Sequence, residues 1–401
     1  MKNKYICLCL MLLICRLTVS AQNTDVAKGF AIAEKQTELL LKETASARNN
    51  PATKANMVSP RTETHTGELV LIPSKDWVSG FFPGELWYLY EYSNDKKWLE
   101  EAKTYTANIE PEKMDRTSHD VGFKVYCSFG NGYRLTHDEH YKEVIIQAAK
   151  TLSTRFNPVV GCIKSWDGRK EWKYPVIIDN MLNLELLFNA TRFSGDSSFY
   201  KIAVSHANTT LKNHFRADYS CYHVVDYDPE TGKVLHKQTH QGYSDESSWA
   251  RGQGWALYGF TMCYRETKNK AYLHQAEKVA RFILDNPNLP KDMVPYWDLN
   301  APAIPDEPRD ASAAAVMASA LYELSTFSPN GKLYRAKADA IIKTLTSKYT
   351  SKIGEHRGFI LLHSTGHKPA NSEIDVPISY ADYYYLEALL RQKHIKERGK
   401  I

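Results

Sequence analysis

The sequence predicts an all-α fold in which six helical hairpins close into a ring, an (α/α)6 barrel, and three observations carry this. One short pattern recurs along the chain: a polar turn, an aromatic residue, then a small or apolar residue four positions on. A stretch richer in Gly, Ala and aromatics precedes each copy, so inner and outer helices alternate. Strand-like runs are few, and no low-complexity linker divides the chain. At 401 residues, 43% of them hydrophobic, the length allows two or three ordinary domains. Repetition makes one large domain the better account.

The elements follow in order. Lys2 and Lys4, a mostly apolar run over 5–15 and the ending Val19-Ser20-Ala21 fit a secretory signal peptide over 1–21. The run is shorter than the roughly 20 residues that span a bilayer. Ile14 stands before Cys15, where a lipoprotein needs a small residue. The mature chain, 22–401, is then exported, periplasmic or secreted. Its first helix, about 26–44, is expected to pair with the last, about 380–391. Between them lie five copies of the pattern: Asn94-Asp95…Trp98…Ala102, His137-Asp138…Tyr141…Ile145, Gly195-Asp196…Phe199…Ala203, Lys268-Asn269…Tyr272…Ala276 and Asn330-Gly331…Tyr334…Ala338. Residues four apart share a helix face, and the turn residues cap the helix that follows. The inner segments, such as Ala311-Ser-Ala-Ala-Ala-Val-Met-Ala-Ser-Ala-Leu321, are apolar nearly all round, which marks burial on most faces.

Charge and cysteine content remove several function classes. Without Lys2, Lys4 and Arg16 of the leader the formal charge falls from +5 to +2, which gives nucleic-acid binding no support. The basic end over 393–400 reads as a solvated tail. Cys127, Cys162, Cys221 and Cys263 show no Cys-x-x-Cys spacing, and no His-Glu-x-x-His occurs, so neither a metal nor a cofactor is expected. These four read as buried apolar fillers. The 25 Tyr and 8 Trp suit core packing and also the stacking faces of a sugar cleft. A closed ring has no edge that demands a partner, so a monomer is expected.

The repeat also locates a site. Counting back 20 to 24 residues from each landmark aromatic reaches Trp77, Asp120, Asp179, Arg251 and Asp310, each where an inner helix begins. They are expected to gather at one end of the ring, where helix N-termini favour anionic ligands. A single Asp there reads as an N-cap; three Asp with an Arg and a Trp read as a functional rim.

At these residues the chain resembles the unsaturated glucuronyl hydrolases, glycoside hydrolase family 88. The segments are Lys75-Asp-Trp-Val-Ser-Gly-Phe-Phe-Pro-Gly84, Ser118-His-Asp-Val-Gly-Phe123, Ile178-Asp-Asn-Met-Leu-Asn183, Ser248-Trp-Ala-Arg-Gly-Gln-Gly-Trp-Ala-Leu-Tyr-Gly259, Arg309-Asp-Ala-Ser-Ala-Ala314 and Asp382-Tyr-Tyr-Tyr-Leu-Glu-Ala388. The resemblance implies the same barrel. It also implies removal of a C4=C5 unsaturated uronic acid from the non-reducing end of lyase-made oligosaccharides, glycosaminoglycan fragments above all. The implied route protonates C4 of the vinyl ether and delivers water towards C5, so the rule relating carboxylate separation to stereochemistry does not apply.

By this resemblance Asp179 is the general acid/base, and Asp120 is the second carboxylate, holding sugar hydroxyls and helping to keep Asp179 protonated. Trp77, Trp166 and Trp255 are candidates to stack on sugar faces, Arg251 to pair with the uronate carboxylate, and His223 and Gln241 to lie near the reacting sugar. His119 is left open as a cap beside Asp120. Ser364, His367 and Lys368 fall where sulfate-tolerant members contact the second sugar, which points to sulfated fragments only by a partial match. The competing readings are an unsaturated rhamnogalacturonyl hydrolase acting on pectin fragments, a non-catalytic glycan-binding barrel, and an epimerase-type barrel, which calls for more cleft histidines than His119 and His223.

Overall fold

A computed structural model describes residues 24–168 and 171–401, so the leader read over 1–21 lies outside the described residues. Six inner helices form the wall of the ring: Phe81–Ser93, the π-helical Gly122–Gly130 continued by Asn131–Thr136, Asn180–Ser194, Ala250–Thr267, Ala311–Ser325 and Ser379–Arg398. Their outer partners are Lys96–Ala107, Glu139–Ser153, Ser197–Asn213, Lys270–Leu284, Gly331–Thr344 and Thr24–Asn49.

The repeated turns have one construction in four of five copies. Asn94, His137, Gly195 and Lys268 adopt the left-handed conformation that ends an inner helix. The next residue, Asp95, Asp138, Asp196 or Asn269, accepts the backbone N–H two positions on and caps the outer helix. The landmark aromatics Trp98, Tyr141, Phe199, Tyr272 and Tyr334 are all buried, as are the residues four positions later. Truncating such a ring to Ala costs about 3–5 kcal/mol. The fifth turn differs because Asn330 makes no capping bond. Gly331 is required there, since a Cβ would stand 2.2 Å from the Ser325 carbonyl oxygen.

The ring closes between its first and last helices. A Cβ on Gly29 would meet Leu389 at 2.6 Å, so the glycine lets these helices approach. Gln36 Nε2 donates to Ser351 Oγ (2.7 Å) and to the carbonyls of Glu355 (3.0 Å) and Phe359 (2.9 Å), tying the loop before the last inner helix to the first helix.

One inner segment departs from the expected α-helix. Gly122–Gly130 is π-helical, a wide turn that recurs at functional sites, and it starts just after Asp120. The few strands are found next to the starts of inner helices. They comprise a hairpin of Met57–Glu63 with Leu69–Pro73, the pair Phe156–Asn157 and Cys162–Ile163, and a three-stranded sheet of Pro175–Ile177, Val224–Tyr227 and Val234–Gln238. Cys127, Cys162, Cys221 and Cys263 are buried and unpaired. Among the described residues no helix is long and apolar enough to cross a membrane.

Two further carboxyl groups are sealed in the wall near the starts of the first and last inner helices. Glu85 accepts the Thr37 hydroxyl at 2.7 Å, while Asp382 accepts the N–H groups of Ile360 (2.9 Å) and Leu361 (2.7 Å). Both are fully buried, and burial raises both above the usual carboxylate range, with the Asp382 charge raising Glu85 further. A carboxyl whose folded pKa is raised binds a proton that the unfolded chain releases near pH 4. Stability is therefore lost as pH rises above that value. Glu85→Gln should flatten this fall, gaining a few degrees of Tm at pH 8 relative to pH 5; parallel melting curves for the two proteins would refute the pairing.

Candidate active site

The N-termini of the inner helices bring Asp120 and Asp179 together. Gly122 makes this approach feasible, because a Cβ there would lie 2.5 Å from Asn183 Cα on the neighbouring inner helix. The side-chain oxygen of Asn183 accepts the Phe123 N–H at 2.7 Å and locks the two helix starts in register. Both residues are buried.

Their surroundings split them. Asp120 Oδ2 accepts the Ser118 hydroxyl at 2.5 Å, and His119 Nε2 lies 3.1 Å from Oδ1. Burial works against ionisation, but the His119 ring, the Ser118 hydroxyl and the Lys124 charge outweigh it and hold Asp120 below the usual range. His119, left open on sequence, is the fully buried neighbour of this carboxylate. Asp179 stands at the start of its inner helix without capping it, and its Oδ2 makes no hydrogen bond to a described residue. Burial pushes its pKa up to about 7; His119 and Arg251 pull it down, and the Asp120 charge pushes it up again. Near neutral pH one carboxyl holds a proton beside one that does not, the arrangement of an acid with an ionised partner.

His223 faces the acid. Its Nδ1 accepts the backbone N–H groups of His240 and Gln241, both at 3.1 Å, which assigns the ring proton to Nε2. Nε2 lies 3.6 Å from Asp179 Oδ2. Burial, then the nearby His240 and Arg251, keeps this imidazole neutral by lowering its pKa well below the ordinary value. It is a fixed N–H donor, tilted against Trp249 with ring centroids 4.4 Å apart.

Trp77 and Trp166 are half-buried. Trp77 tilts against Tyr380 at 5.1 Å, and the turn that carries it is pinned by Arg61, which bonds both Asp76 (2.8 Å) and Glu373 (2.6 Å). Trp166 pairs its backbone with Ser118, close to Asp120, and meets Trp172 (5.5 Å) and His240 (5.3 Å). Gln241 Nε2 donates to the Gly366 carbonyl at 3.0 Å, joining two rim loops.

Five expectations are corrected. Trp255 is fully buried, packed against Phe123 (5.4 Å) and Tyr384 (5.3 Å) inside the ring, so no sugar face reaches it. Arg251 is not a free guanidinium at the rim. It donates to Asp310 (2.9 Å) and to the carbonyls of Thr365 and Gly366 (2.7 Å each), and so holds the rim loop in place. Asp310 is an N-cap, accepting the N–H groups of Ser312 and Ala313, and leaves the functional rim. Ser364 is fully buried and pairs its backbone with Val376. Lys368 is half-exposed, but its ammonium sits 2.6 Å from Glu307 and over the Trp297 ring, so an incoming sulfate meets a neutralised pair.

Sequence reasoning missed Ser118, Trp249, Tyr380 and the Arg61–Glu373 clamp. Ser118 and Trp249 have a usable signal, since each stands at a start of an inner helix like the residues that were found. Arg61 and Glu373 are 312 residues apart and share none.

Residues 52–392 match the family described as Glycosyl Hydrolase Family 88. The chain is 49% identical over 378 residues to an unsaturated glucuronyl hydrolase of Formosa agariphila, covering 93% of this chain and 92% of that protein. It is 34% identical to an unsaturated chondroitin disaccharide hydrolase of Streptococcus pneumoniae, covering 83% and 85% respectively. A crystal structure of an unsaturated glucuronyl hydrolase specific for heparin superposes with a TM-score of 0.88 at 46% identity, over 94% of this chain and 98% of that one.

Proposed function

The chain belongs to glycoside hydrolase family 88, and on that premise we propose that it removes a C4=C5 unsaturated uronic acid from the non-reducing end of lyase-made glycosaminoglycan fragments by hydrating the ring. The observation that carries this reading is the buried Asp179, its Oδ2 bonded to no described residue and its pKa pushed up to about 7, beside Asp120, which its neighbours hold below the usual carboxylate range. A vinyl ether is hydrated by an acid that gives a proton to carbon, which needs a carboxyl still protonated near neutral pH.

Asp179 gives its proton to C4, the π electrons form the new C–H bond, and the positive charge left on C5 is shared with the ring oxygen. Water bonds to C5 and returns a proton to the Asp179 carboxylate. The product is a hemiketal that opens and releases the second sugar. Asp120 accepts hydrogen bonds from sugar hydroxyls, and its charge favours the cationic stage. The Nε2–H of His223 orients the uronic acid or the water. Trp77 and Trp166 are the stacking faces. Sulfate recognition by Lys368 is not part of the reading, because Glu307 already neutralises it.

The basic start, short apolar run and Val19-Ser20-Ala21 ending support export to the periplasm or medium, with 22–401 as a single catalytic domain. A closed ring supports a monomer.

The test incubates the mature chain with unsaturated disaccharides from chondroitin, heparin and pectin lyase digests and follows the ultraviolet absorbance of the conjugated double bond. Loss of signal on the glycosaminoglycan digests is expected. Loss on the pectin digest alone would reassign the substrate, and binding without loss on any digest would leave a glycan-binding barrel.

A further inference from the structure

A second chamber lies at the opposite end of the ring, where the inner helices finish. It measures about 340 Å³, and its wall runs from the helix ends inward past Tyr88, Tyr126, Glu185, Tyr258 and Tyr384. Phe123, part of an aromatic layer across the ring, belongs to its wall, whereas Asp120, Asp179 and His223 do not. Phe81 meets Phe123 at 5.4 Å, Phe123 meets Trp255 at 5.4 Å, and Trp255 meets Tyr384 at 5.3 Å. A ligand in the chamber therefore meets Phe123 but neither Asp120 nor Asp179.

Three arginines in its wall are paired with carboxylates. Arg134 bonds Glu91, Arg265 bonds Glu185, and Arg391 lies 3.5 Å from Glu387, itself bonded by Tyr88 (3.0 Å) and Tyr258 (2.8 Å). These pairs also answer the negative ends of the helix dipoles. Apart from the exposed Arg398, what remains unengaged is uncharged or anionic. The hydroxyls of Tyr126 and Tyr384 and the Oε2 of Glu185 make no hydrogen bond to a described residue. Tyr384 is 3% exposed, and Tyr126 lies close to Glu185 and Arg265.

We propose that this chamber is a binding site for a neutral monosaccharide. Its size is at the lower end of the roughly 300–1,000 Å³ of ligand pockets, which suits a single ring. Two hydroxyls that donate and accept, one carboxylate oxygen that accepts, and several aromatic rings match the hydroxyls and C–H faces of a sugar. Arg134, Arg265 and Arg391 are already engaged by carboxylates, so a uronate or a sulfate finds none of them free.

The mature chain would be titrated calorimetrically with D-glucose, N-acetyl-D-galactosamine and D-glucuronate. Tyr126→Phe, Tyr384→Phe and Asp120→Asn would run alongside. Each Phe variant loses a hydroxyl that bonds to no described residue, so folding is not put at risk, and melting curves check this. Saturable binding of a neutral sugar is expected, weakened about three- to tenfold in each Phe variant. It should be unchanged in Asp120→Asn, which alters only the other end. No saturable binding, equal binding in the Phe variants, loss of binding in Asp120→Asn, or glucuronate binding as tightly as the neutral sugars would each overturn the assignment.

Discussion

Asp179→Asn is expected to stop turnover and to make the protein more stable above neutral pH. The amide has nearly the shape of the carboxyl but no proton to give to carbon. Loss of a positioned acid costs about 10²- to 10⁴-fold in rate. The fold should tolerate the change, because Asp179 caps nothing and its Oδ2 bonds to no described residue. The stability effect has a definite sign. The folded acid titrates at about 7, whereas an unfolded Asp titrates near 4. The wild type therefore loses stability as pH rises between these values, and the loss is complete above 7. The variant has no such group, so its advantage in Tm grows from pH 4 to pH 7 and then levels off. Turnover followed by ultraviolet absorbance, with melting curves at pH 5 and pH 8, gives both readings. Retained activity would remove Asp179 from the chemistry, and an unchanged Tm difference would remove the raised pKa.

Sequence periodicity made the ring legible because its determinants are local. Asp95 and Trp98 belong to a single turn and helix start, and each later copy repeats that chemistry within a few residues. The carboxylates were legible by the same logic, since Asp120 and Asp179 hold equivalent places before successive inner helices. What failed depends on partners far along the chain. Arg251 reads as a rim cation until the Gly366 carbonyl, 115 residues away, is seen to accept its proton. Lys368 reads as a sulfate contact until Glu307, 61 residues earlier, is found on its ammonium. Trp255 shows a different limit. An inner helix that is apolar all round reveals which residues are buried but not how far along the ring axis each one sits, so a layer residue and a cleft residue look alike. The π-helical widening after Asp120 has no residue signature in that reading either.

Asp120→Asn should cost roughly 10²-fold in kcat/KM, of the order seen when one oriented charge or donor is removed from an active site. The Asp120 carboxylate is held ionised by His119, Ser118 and Lys124 against burial, so in the wild type it stays charged well into the acid range. Activity needs Asp179 protonated and Asp120 ionised. The wild-type profile should therefore fall on the alkaline side around pH 7 and on the acid side only below the usual carboxylate range. The variant loses the acid limb, because an amide does not titrate there. Its alkaline limb should move to lower pH, since the Asp120 charge is one of the causes that raise Asp179. The move should be modest, because burial is the larger cause and the variant keeps it. A pH series of kcat/KM for both proteins separates two roles that a single rate leaves merged. A hundredfold loss with the alkaline limb unmoved would make Asp120 a ligand for the sugar hydroxyls alone. A limb that moves would tie it to the proton on Asp179 as well, and full activity at neutral pH would exclude both.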